Sequence, residues 1–208
     1  MARKKLGILG GTFDPIHLGH VHLAEAVYDA LNLEALVFIP AFIAPHKVGH
    51  DFAPAKARLA MTRLAVAGKE NYFVSDREVV KTGVSYTINT LQELHKENPD
   101  YDLYFIIGAD SLTQLHTWHR IQEMLQLTTF VAAGRPGYRD PLDIALKNLG
   151  EAAKEKIILL ETPEYEISST EIRTRIRQGL SLEGLVPPAV EAYIKEKKLY
   201  LKGEDGHA

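Results

Sequence analysis

Two histidines follow a pair of glycines near the beginning of the chain, where residues 10–20 read GGTFDPIHLGH. The short apolar run at 6–9 precedes this stretch and a segment of helical period follows it, which predicts the first strand-to-helix turn of an α/β domain. Glycines in such a turn let a ligand approach the backbone, and the next helix aims unpaired N–H groups at an anion. His17 and His20 are three residues apart and should share one face of the first helical turn. These residue types predict a phosphate-binding site.

A second group of donors lies near the end of the chain, where residues 168–173 read SSTEIR. Ser168 followed by Glu171 predicts a capping box, and therefore a helix whose hydroxyl-rich end can meet an anion. Arg173 lies one turn into that helix, and its guanidinium suits phosphate oxygens. Capping boxes are common, so this stretch alone favours an ordinary helix start with solvated arginines.

Polar residues also follow a predicted strand at 101–107. Ligand contacts in α/β proteins concentrate at such strand ends, so Gly108 and Asp110 are candidates there. Asp110 can accept from ribose hydroxyls, or it can cap the following helix. Trp118 is the single tryptophan and lies between polar residues, a neighbourhood unusual for a core indole. His22 should lie on another helix face than His20, and no carboxylate at ligand spacing supports a metal site with them.

The elements that must position these residues alternate between strand and helix. Strands are predicted at 6–9, 35–39, 72–75, 101–107, 130–133 and 157–160. Helices are predicted after residue 17, over 56–67, from 85 to 98, after 108 and from 168, the first with an apolar stripe of Leu23, Val27 and Ala30. The loop at 40–54 is long enough to suggest a function. We expect one α/β domain over 1–208, with a small C-terminal helical part from about 168.

Composition excludes several classes of function. The 208 residues contain no cysteine, which rules out disulfide bridges, a thiol nucleophile and cysteine-based zinc sites. A formal charge of -3 gives no general attraction to nucleic acid or to an acidic membrane. The first apolar run is too short for a signal peptide, and no later run spans a bilayer. A cytoplasmic protein without nucleic-acid or membrane partners is expected.

Residues 10–20 and 167–173 together are the paired signatures of one family. The first stretch resembles the GGTFDPxHxGH form of the (H/T)xGH nucleotidyltransferase motif, and the second resembles the family's ISSTxIR motif. More specifically, the chain resembles the bacterial nicotinate-nucleotide adenylyltransferases throughout its length. Further segments in the expected order are 44–47, 85–87, 107–111, 117–120, 134–137 and 186–200.

The resemblance implies a Rossmann-like nucleotidyltransferase fold, with a doubly wound parallel sheet and helices on both faces. It implies that ATP and nicotinate mononucleotide are joined in NAD biosynthesis, with release of pyrophosphate. In that chemistry the 5′-phosphate oxygen attacks the α-phosphate directly, so the protein supplies alignment and charge neutralisation rather than a nucleophile. Mg²⁺ is expected, held chiefly by ATP phosphates and water.

The resemblance also implies roles for residues on the ATP side. His17, His20 and Arg173 are the implied catalytic residues, with His20 holding the α-phosphate in the transition state. The implied ATP-binding residues are Gly10, Gly11, Thr12, Phe13, His17, His20, Gly108, Asp110, Ser168, Ser169, Thr170 and Arg173. Among these, Ser169, Thr170 and Arg173 should hold the β- and γ-phosphates, and Phe13 should fix the loop by packing.

On the acceptor side the implied residues are Lys47, Tyr86, Thr87, Trp118 and Arg135. The resemblance places the Trp118 ring on the pyridine, with Tyr86 and Thr87 near its carboxylate. Backbone N–H groups at a helix start near Thr87 would favour the acid over the amide. Lys47 and Arg135 can meet the mononucleotide phosphate, although solvated loop cations are equally typical.

Two alternatives stay open. The acceptor could be nicotinamide mononucleotide or another small phosphate such as phosphopantetheine, and the domain could be a nucleotide sensor without activity. The intact His17, His20 and Arg173 argue against a sensor. A class I aminoacyl-tRNA synthetase fragment is excluded by the length and by the lack of a KMSKS-like loop. A homo-oligomer is compatible with the sequence.

Overall fold

A parallel sheet runs through the centre of the computed structural model, which describes residues 3–45, 52–134, 137, 140–150, 153–163 and 166–201. Its six strands are β1 (Lys4–Gly11), β2 (Ala35–Pro40), β3 (Tyr72–Val74), β4 (Tyr101–Gly108), β5 (Thr128–Gly134) and β6 (Ile157–Glu161). The strand order is β3-β2-β1-β4-β5-β6, and every pairing is parallel. All six predicted strands are confirmed, and those buried on both faces, such as β2, carry continuous apolar runs.

The order of the strands reverses between β1 and β4. From β1 the chain proceeds outward to β2 and β3, and then it returns to the other side of β1 to form β4. In sheets of this kind, ligands bind beyond the carboxyl ends of the strands at the reversal point. The predicted Rossmann-like doubly wound sheet is confirmed, and its topology directs attention to the ends of β1 and β4.

Helices cover both faces of this sheet. The helices are α1 (Leu18–Leu31), α2 (Ala55–Val66), α3 (Arg77–Lys81), α4 (Thr87–Glu97), α5 (Ile121–Leu127), α6 (Asp140–Leu149), α7 (Ser169–Arg177) and α8 (Pro188–Glu196), with a 3-10 helix at Ala109–Thr117. One apolar layer joins the sheet to α4, α5, α6 and the 3-10 helix, and the other joins it to α1, α2, α7 and α8. Phe105 and Ile107 of β4 belong to the first layer and Ile106 to the second, as the alternation of a strand requires.

Three features of the helices differ from the prediction. The buried stripe of α1 is Val21, Ala24 and Val27, whereas Leu23 is partly buried and Ala30 is exposed. The two stripes share Val27, and the apolar residues of this helix fit more than one face until packing against the sheet selects one. The segment after 108 is a 3-10 helix. Helices α3, α5 and α6 were not predicted.

The C-terminal helices pack on the same sheet as the rest of the chain. Ile172 of α7 and Val190 and Ile194 of α8 are buried in the layer that also holds α1 and α2. This packing supports our view of 1–208 as one domain. No helix among the described residues is long and apolar enough to cross a membrane.

Candidate active site

A cavity of about 1000 Å³ opens beyond the carboxyl ends of β1 and β4. Its walls come from the ends of these two strands and from the starts of α1, α4 and α7. Three helix N-termini therefore border one space, and the N-terminus of a helix favours an anion through its dipole. The volume is at the upper end of the range for small-molecule sites, which suits a ligand as large as a nucleotide or a pair of nucleotides.

The cavity collects nearly all of the predicted site residues that the structure describes. Its lining includes Gly10, Gly11, Thr12, Phe13, His17, His20, Tyr86, Thr87, Gly108, Trp118, Ser168, Ser169, Thr170 and Arg173. Asp110 is exposed in the first turn of the 3-10 helix and is not among the lining residues, whereas Ser111 is. Lys47 and Arg135 lie outside the described residues, so their roles stay predictions.

The two histidines lie against each other at the start of α1. His17 is the N-cap residue, and its ring stacks on the ring of His20 with 3.7 Å between centroids. The backbone N–H of His17 donates to Nδ1 of His20 at 3.3 Å. Because Nδ1 accepts, the proton of neutral His20 is on Nε2, where it can serve as a hydrogen-bond donor. The predicted shared face is confirmed.

Burial sets the charge of His17. Its side chain is 7% exposed, and desolvation lowers its pKa to about 4. At neutral pH the ring is therefore uncharged. A Cβ on Gly19 would lie 3.0 Å from His17 Nδ1, so the absence of a side chain there makes room for the buried ring. His22 is partly buried on the same helix.

The glycines predicted in the turn are the last two residues of β1. Gly10 pairs with Ile39 and Gly11 with Pro40 of β2. A Cβ on Gly11 would come within 2.9 Å of the Phe13 ring, which is 2% exposed and meets the His20 ring edge-on at 5.1 Å. Phe13 therefore packs between the end of the strand and His20, as predicted.

A buried arginine holds the loops after β1 and β2 together, and sequence reasoning missed it. Arg58 of α2 is 1% exposed. Its guanidinium donates to four backbone carbonyls, those of Thr12 at 2.6 Å, Ala41 at 2.7 Å, Phe42 at 2.8 Å and Ala53 at 3.0 Å. Burial lowers its pKa, and the charge of Asp14 opposes that change. In the sequence it reads as an ordinary surface cation of a helix, so no signal identified it.

The start of α7 is hydrogen-bonded directly to the loop after β1. Ser169 Oγ donates to the carbonyl of Pro15 at 2.9 Å, and Arg173 Nη1 donates to the carbonyl of Asp14 at 2.7 Å. Arg173 Nη2 also donates to Thr170 Oγ1 at 3.2 Å. These contacts join the two sequence motifs across more than 150 residues, with separations of 154 and 159. Arg173 is therefore not a solvated helix arginine.

The predicted capping box of α7 is half formed. Ser168 Oγ accepts from the backbone N–H of Glu171 at 3.1 Å, which confirms Ser168 as the N-cap. The Glu171 carboxylate lies 3.8 Å from Arg175 on the same helix. The pair is exposed, so it contributes little to stability.

The start of α4 forms another part of the cavity wall. Tyr86 is the N-cap and Thr87 the first helical residue, with no capping hydrogen bond from a side chain and no acidic residue in the first turn. The Tyr86 ring lies 4.8 Å from that of His119. The carboxyl nearby in the wall belongs to Glu78 of α3, which accepts from Thr90 Oγ1 of this helix.

Trp118 both packs and lines the cavity. Its ring is partly buried and meets Phe105 and Phe130 edge-on, with centroids 6.1 Å and 6.2 Å away. Both readings of this residue, packing and ligand contact, are thus compatible with its position. Three ring systems fixed in perpendicular contact give the indole a defined orientation.

Glu78 of α3 lines the cavity as well, and the sequence did not indicate it. Its carboxyl accepts from Thr90 Oγ1 at 2.6 Å, and burial raises its pKa. Ser85 beside it accepts from the backbone N–H of Phe42 at 3.0 Å. These contacts tie α3, α4 and the loop after β2 into one wall.

No group of three His, Asp or Glu side chains able to hold a metal ion occurs in the part of the chain that the structure describes. The side chains of the site include hydroxyls, imidazoles, one guanidinium and aromatic rings, together with the carboxyls of Asp14 and Glu78. Such a set can align and neutralise a polyanion.

Comparison with known proteins agrees with this chemistry. The family described as cytidylyltransferase-like matches residues 8–175, a span that begins in β1 and ends in α7. Among curated proteins, one from Herpetosiphon aurantiacus is 42% identical over 198 residues, covering 95% of this chain and 99% of the relative. Another, from Desulfitobacterium hafniense strain Y51, is 41% identical over 200 residues, covering 95% and 96%. Both carry the name "Probable nicotinate-nucleotide adenylyltransferase".

Solved structures share the fold. The nicotinic acid mononucleotide adenylyltransferase of Plasmodium falciparum complexed with NaAD has a TM-score of 0.77 at 20% identity, covering 95% of this chain and 97% of that chain. The same protein complexed with APC has a TM-score of 0.75. At this identity the similarity establishes the architecture of the chain.

Proposed function

This chain belongs to the nicotinate-nucleotide adenylyltransferase family, and on that premise we propose that it transfers the adenylyl group of ATP to nicotinate mononucleotide. The products are nicotinate adenine dinucleotide and pyrophosphate. One observation connects the proposal to the residues. Helix α7 is hydrogen-bonded to Pro15 and Asp14 of the loop between β1 and α1, so the starts of α1 and α7 border one cavity. Two helix N-termini directed at one space suit a polyphosphate.

The reaction needs alignment more than it needs a reactive side chain. A 5′-phosphate oxygen of the acceptor attacks the α-phosphorus of ATP, a new P–O bond forms, and the bond to the β-phosphate oxygen breaks. No covalent intermediate on the protein is required. The donors of the cavity would hold both polyanions in line and stabilise the charge that builds on the α-phosphate.

We assign the α-phosphate to the stacked histidines. The Nε2–H of His20 would donate to an α-phosphate oxygen, since Nδ1 is engaged by the His17 backbone. His17 is neutral at pH 7 and would contribute as a dipolar donor, not as a cation. Both rings are fixed before ATP arrives, which is how an oxyanion donor contributes most to the rate.

The leaving pyrophosphate is assigned to the start of α7. Ser168, Ser169 and Thr170 would present hydroxyl and backbone donors to the β- and γ-phosphates. Arg173 would provide the cation, because its guanidinium is held at the same place by the carbonyl of Asp14. The end of β1, at Gly10 and Gly11, and Gly108 at the end of β4 would lie beside the nucleoside, with Asp110 as a ribose acceptor at the rim.

The acceptor is assigned to the start of α4 and to Trp118. The uncapped N–H groups near Thr87 would receive the carboxylate of nicotinate, and the Trp118 ring would stack on the pyridine beside Tyr86. An amide presents no charge to that helix end, so the acid should be preferred. Lys47 and Arg135 remain candidates for the mononucleotide phosphate.

Mg²⁺ is proposed as the companion of ATP. The absence of a ligand cluster among the described residues fits an ion held by phosphate oxygens and water. When bound, such an ion would neutralise charge on the β- and γ-phosphates. Arg173 and the hydroxyls of α7 would then orient the phosphates themselves.

The test is an assay of the purified protein with ATP and nicotinate mononucleotide, following pyrophosphate release and identifying the dinucleotide by mass. Pyrophosphate should appear only when both substrates are present, and His20→Ala should slow its release by roughly 10²- to 10³-fold. Release that stays at background with nicotinate mononucleotide would contradict the proposal. Release with the amide or another phosphate acceptor instead would reassign the substrate.

A further inference from the structure

Tyr200, far from the loop after β1 in sequence, is hydrogen-bonded to it. Its hydroxyl donates to Asp14 Oδ1 at 2.7 Å, although the two residues are 186 positions apart. Asp14 is 3% exposed, and the ring of Tyr200 packs against the apolar layer that holds α8. Burial raises the pKa of the hydroxyl, and the Asp14 charge raises it further, so the hydroxyl keeps its proton and donates.

The backbone bends to bring Tyr200 to this place. Helix α8 ends in a Schellman motif, with Lys198 N–H bonded to the Lys195 carbonyl at 3.3 Å and Leu199 N–H bonded to the Ile194 carbonyl at 3.0 Å. The left-handed φ of 52° at Lys198 belongs to that helix end. Tyr200 has a second left-handed φ, of 65°, which a bulky residue seldom adopts unless its surroundings hold it.

The two oxygens of Asp14 have different neighbours. Oδ1 accepts from Tyr200 and from the backbone N–H of Ala53 at 3.1 Å. Oδ2 is buried, has no hydrogen bond within the described part of the chain, and lies 3.6 Å from Arg173 Nη1. The same Nη1 donates to the Asp14 backbone carbonyl at 2.7 Å. Arg173 is thus hydrogen-bonded to the carbonyl and forms a longer ion pair with Oδ2, while Oδ1 is directed to Tyr200 and Ala53.

We infer that Tyr200 is a positioning residue for ATP: its hydroxyl restrains the Asp14 carboxylate, so that Arg173 remains available to the polyphosphate. This rests on the proposed function, which gives Arg173 to the β- and γ-phosphates. Without the hydroxyl, Oδ1 keeps one donor, and the carboxylate can rotate to form a two-oxygen pair with the guanidinium. That internal pair would compete with ATP for Arg173.

The test is equilibrium binding of adenosine 5′-(α,β-methylene)triphosphate to the full chain and to Tyr200→Phe, by calorimetry. Loss of a hydrogen bond to a charged group should weaken binding by about three- to tenfold. Tyr193→Phe is the matched control, because Tyr193 packs in the same layer and its hydroxyl has no hydrogen-bond partner among the described residues. It should bind the analogue like the wild type, and both variants should keep the wild-type KM for nicotinate mononucleotide.

The same substitution in an Arg173→Ala background separates positioning from a structural role. If Tyr200 acts through Arg173, Tyr200→Phe should cause no further loss of affinity there. Equal affinity of Tyr200→Phe and wild type would overturn the inference, as would an undiminished loss in the Arg173→Ala background. A wild type that binds the analogue but makes no dinucleotide would instead overturn the proposed function alone.

Discussion

Acidification should destabilise the fold through one buried imidazole. His17 is 7% exposed, and desolvation lowers its pKa from 6.5 to about 4. Because the folded pKa is the lower one, the unfolded chain binds more protons between these two values. The free energy of unfolding must therefore fall as the pH falls from 6.5 to about 4. Above pH 6.5, where His17 is neutral in both states, its burial removes nothing from that free energy.

The magnitude follows from the two pKa values. Between pH 7 and pH 5, His17 alone should remove about 2 kcal/mol from the free energy of unfolding. His17→Asn is a suitable reference, because asparagine is a favoured N-cap residue and does not titrate. Other groups titrate in both proteins, so the difference between them isolates His17.

The measurement is urea denaturation of both proteins at pH 7 and pH 5. The wild type should lose about 2 kcal/mol more than His17→Asn over this interval. An equal loss in the two proteins would refute the reasoning, since it would mean that His17 titrates in the fold as it does in the unfolded chain.

Three substitutions extend the account. His20→Ala should lower kcat by roughly 10²- to 10³-fold, measured as pyrophosphate release, because it removes the donor to the α-phosphate. Trp118→Ala should raise KM for nicotinate mononucleotide by about tenfold and leave KM for ATP unchanged, because it removes a stacking surface. Arg58→Met should lower the free energy of unfolding by about 3 kcal/mol in urea, because four buried carbonyls lose their donor.

Control variants and contradicting results can be stated for these three substitutions. His95→Ala, at an exposed position of α4, should leave kcat within about twofold of the wild type. Trp118→Phe should recover part of the affinity for the acceptor. The assignments fail if His20→Ala retains most of the activity, or if Trp118→Ala raises both KM values equally. If Arg58→Met is as stable as the wild type, the hydrogen bonds of Arg58 make no net contribution to the free energy of unfolding.

The parallel sheet could be predicted from the sequence because its central strands are covered on both faces. All six residues of β2 are buried, and such a strand leaves a continuous apolar run that needs no periodicity to be seen. Helices α3 and α5 have five and seven residues, too short to show a helical repeat. The stripe of α1 was misplaced because its apolar residues fit more than one helical face, and packing against the sheet selects between them.

The sequence also indicated several residues at the mouth of the cavity. His17, His20 and Arg173 lie in contiguous motifs, where residue type and spacing are visible together. Asp14 and Tyr200 could not be paired in advance, because their contact depends on how α8 folds back across the sheet.

Arg58 and Glu78 could not be identified from the sequence. Both are charged residues in helices, and the sequence gives no sign that either is directed inward. What identifies them is the set of backbone carbonyls and hydroxyls that surrounds them in the folded chain. Buried polar groups of this kind are specified by tertiary contacts, not by local pattern.

The ratio of kcat/KM for nicotinate mononucleotide to that for nicotinamide mononucleotide tests the central claim most directly. The two acceptors differ only in the group that the uncapped start of α4 would receive. The account predicts that the acid is preferred by about tenfold or more, with both activities lost in His20→Ala. Equal use of the two acceptors, or a preference for the amide, would contradict it.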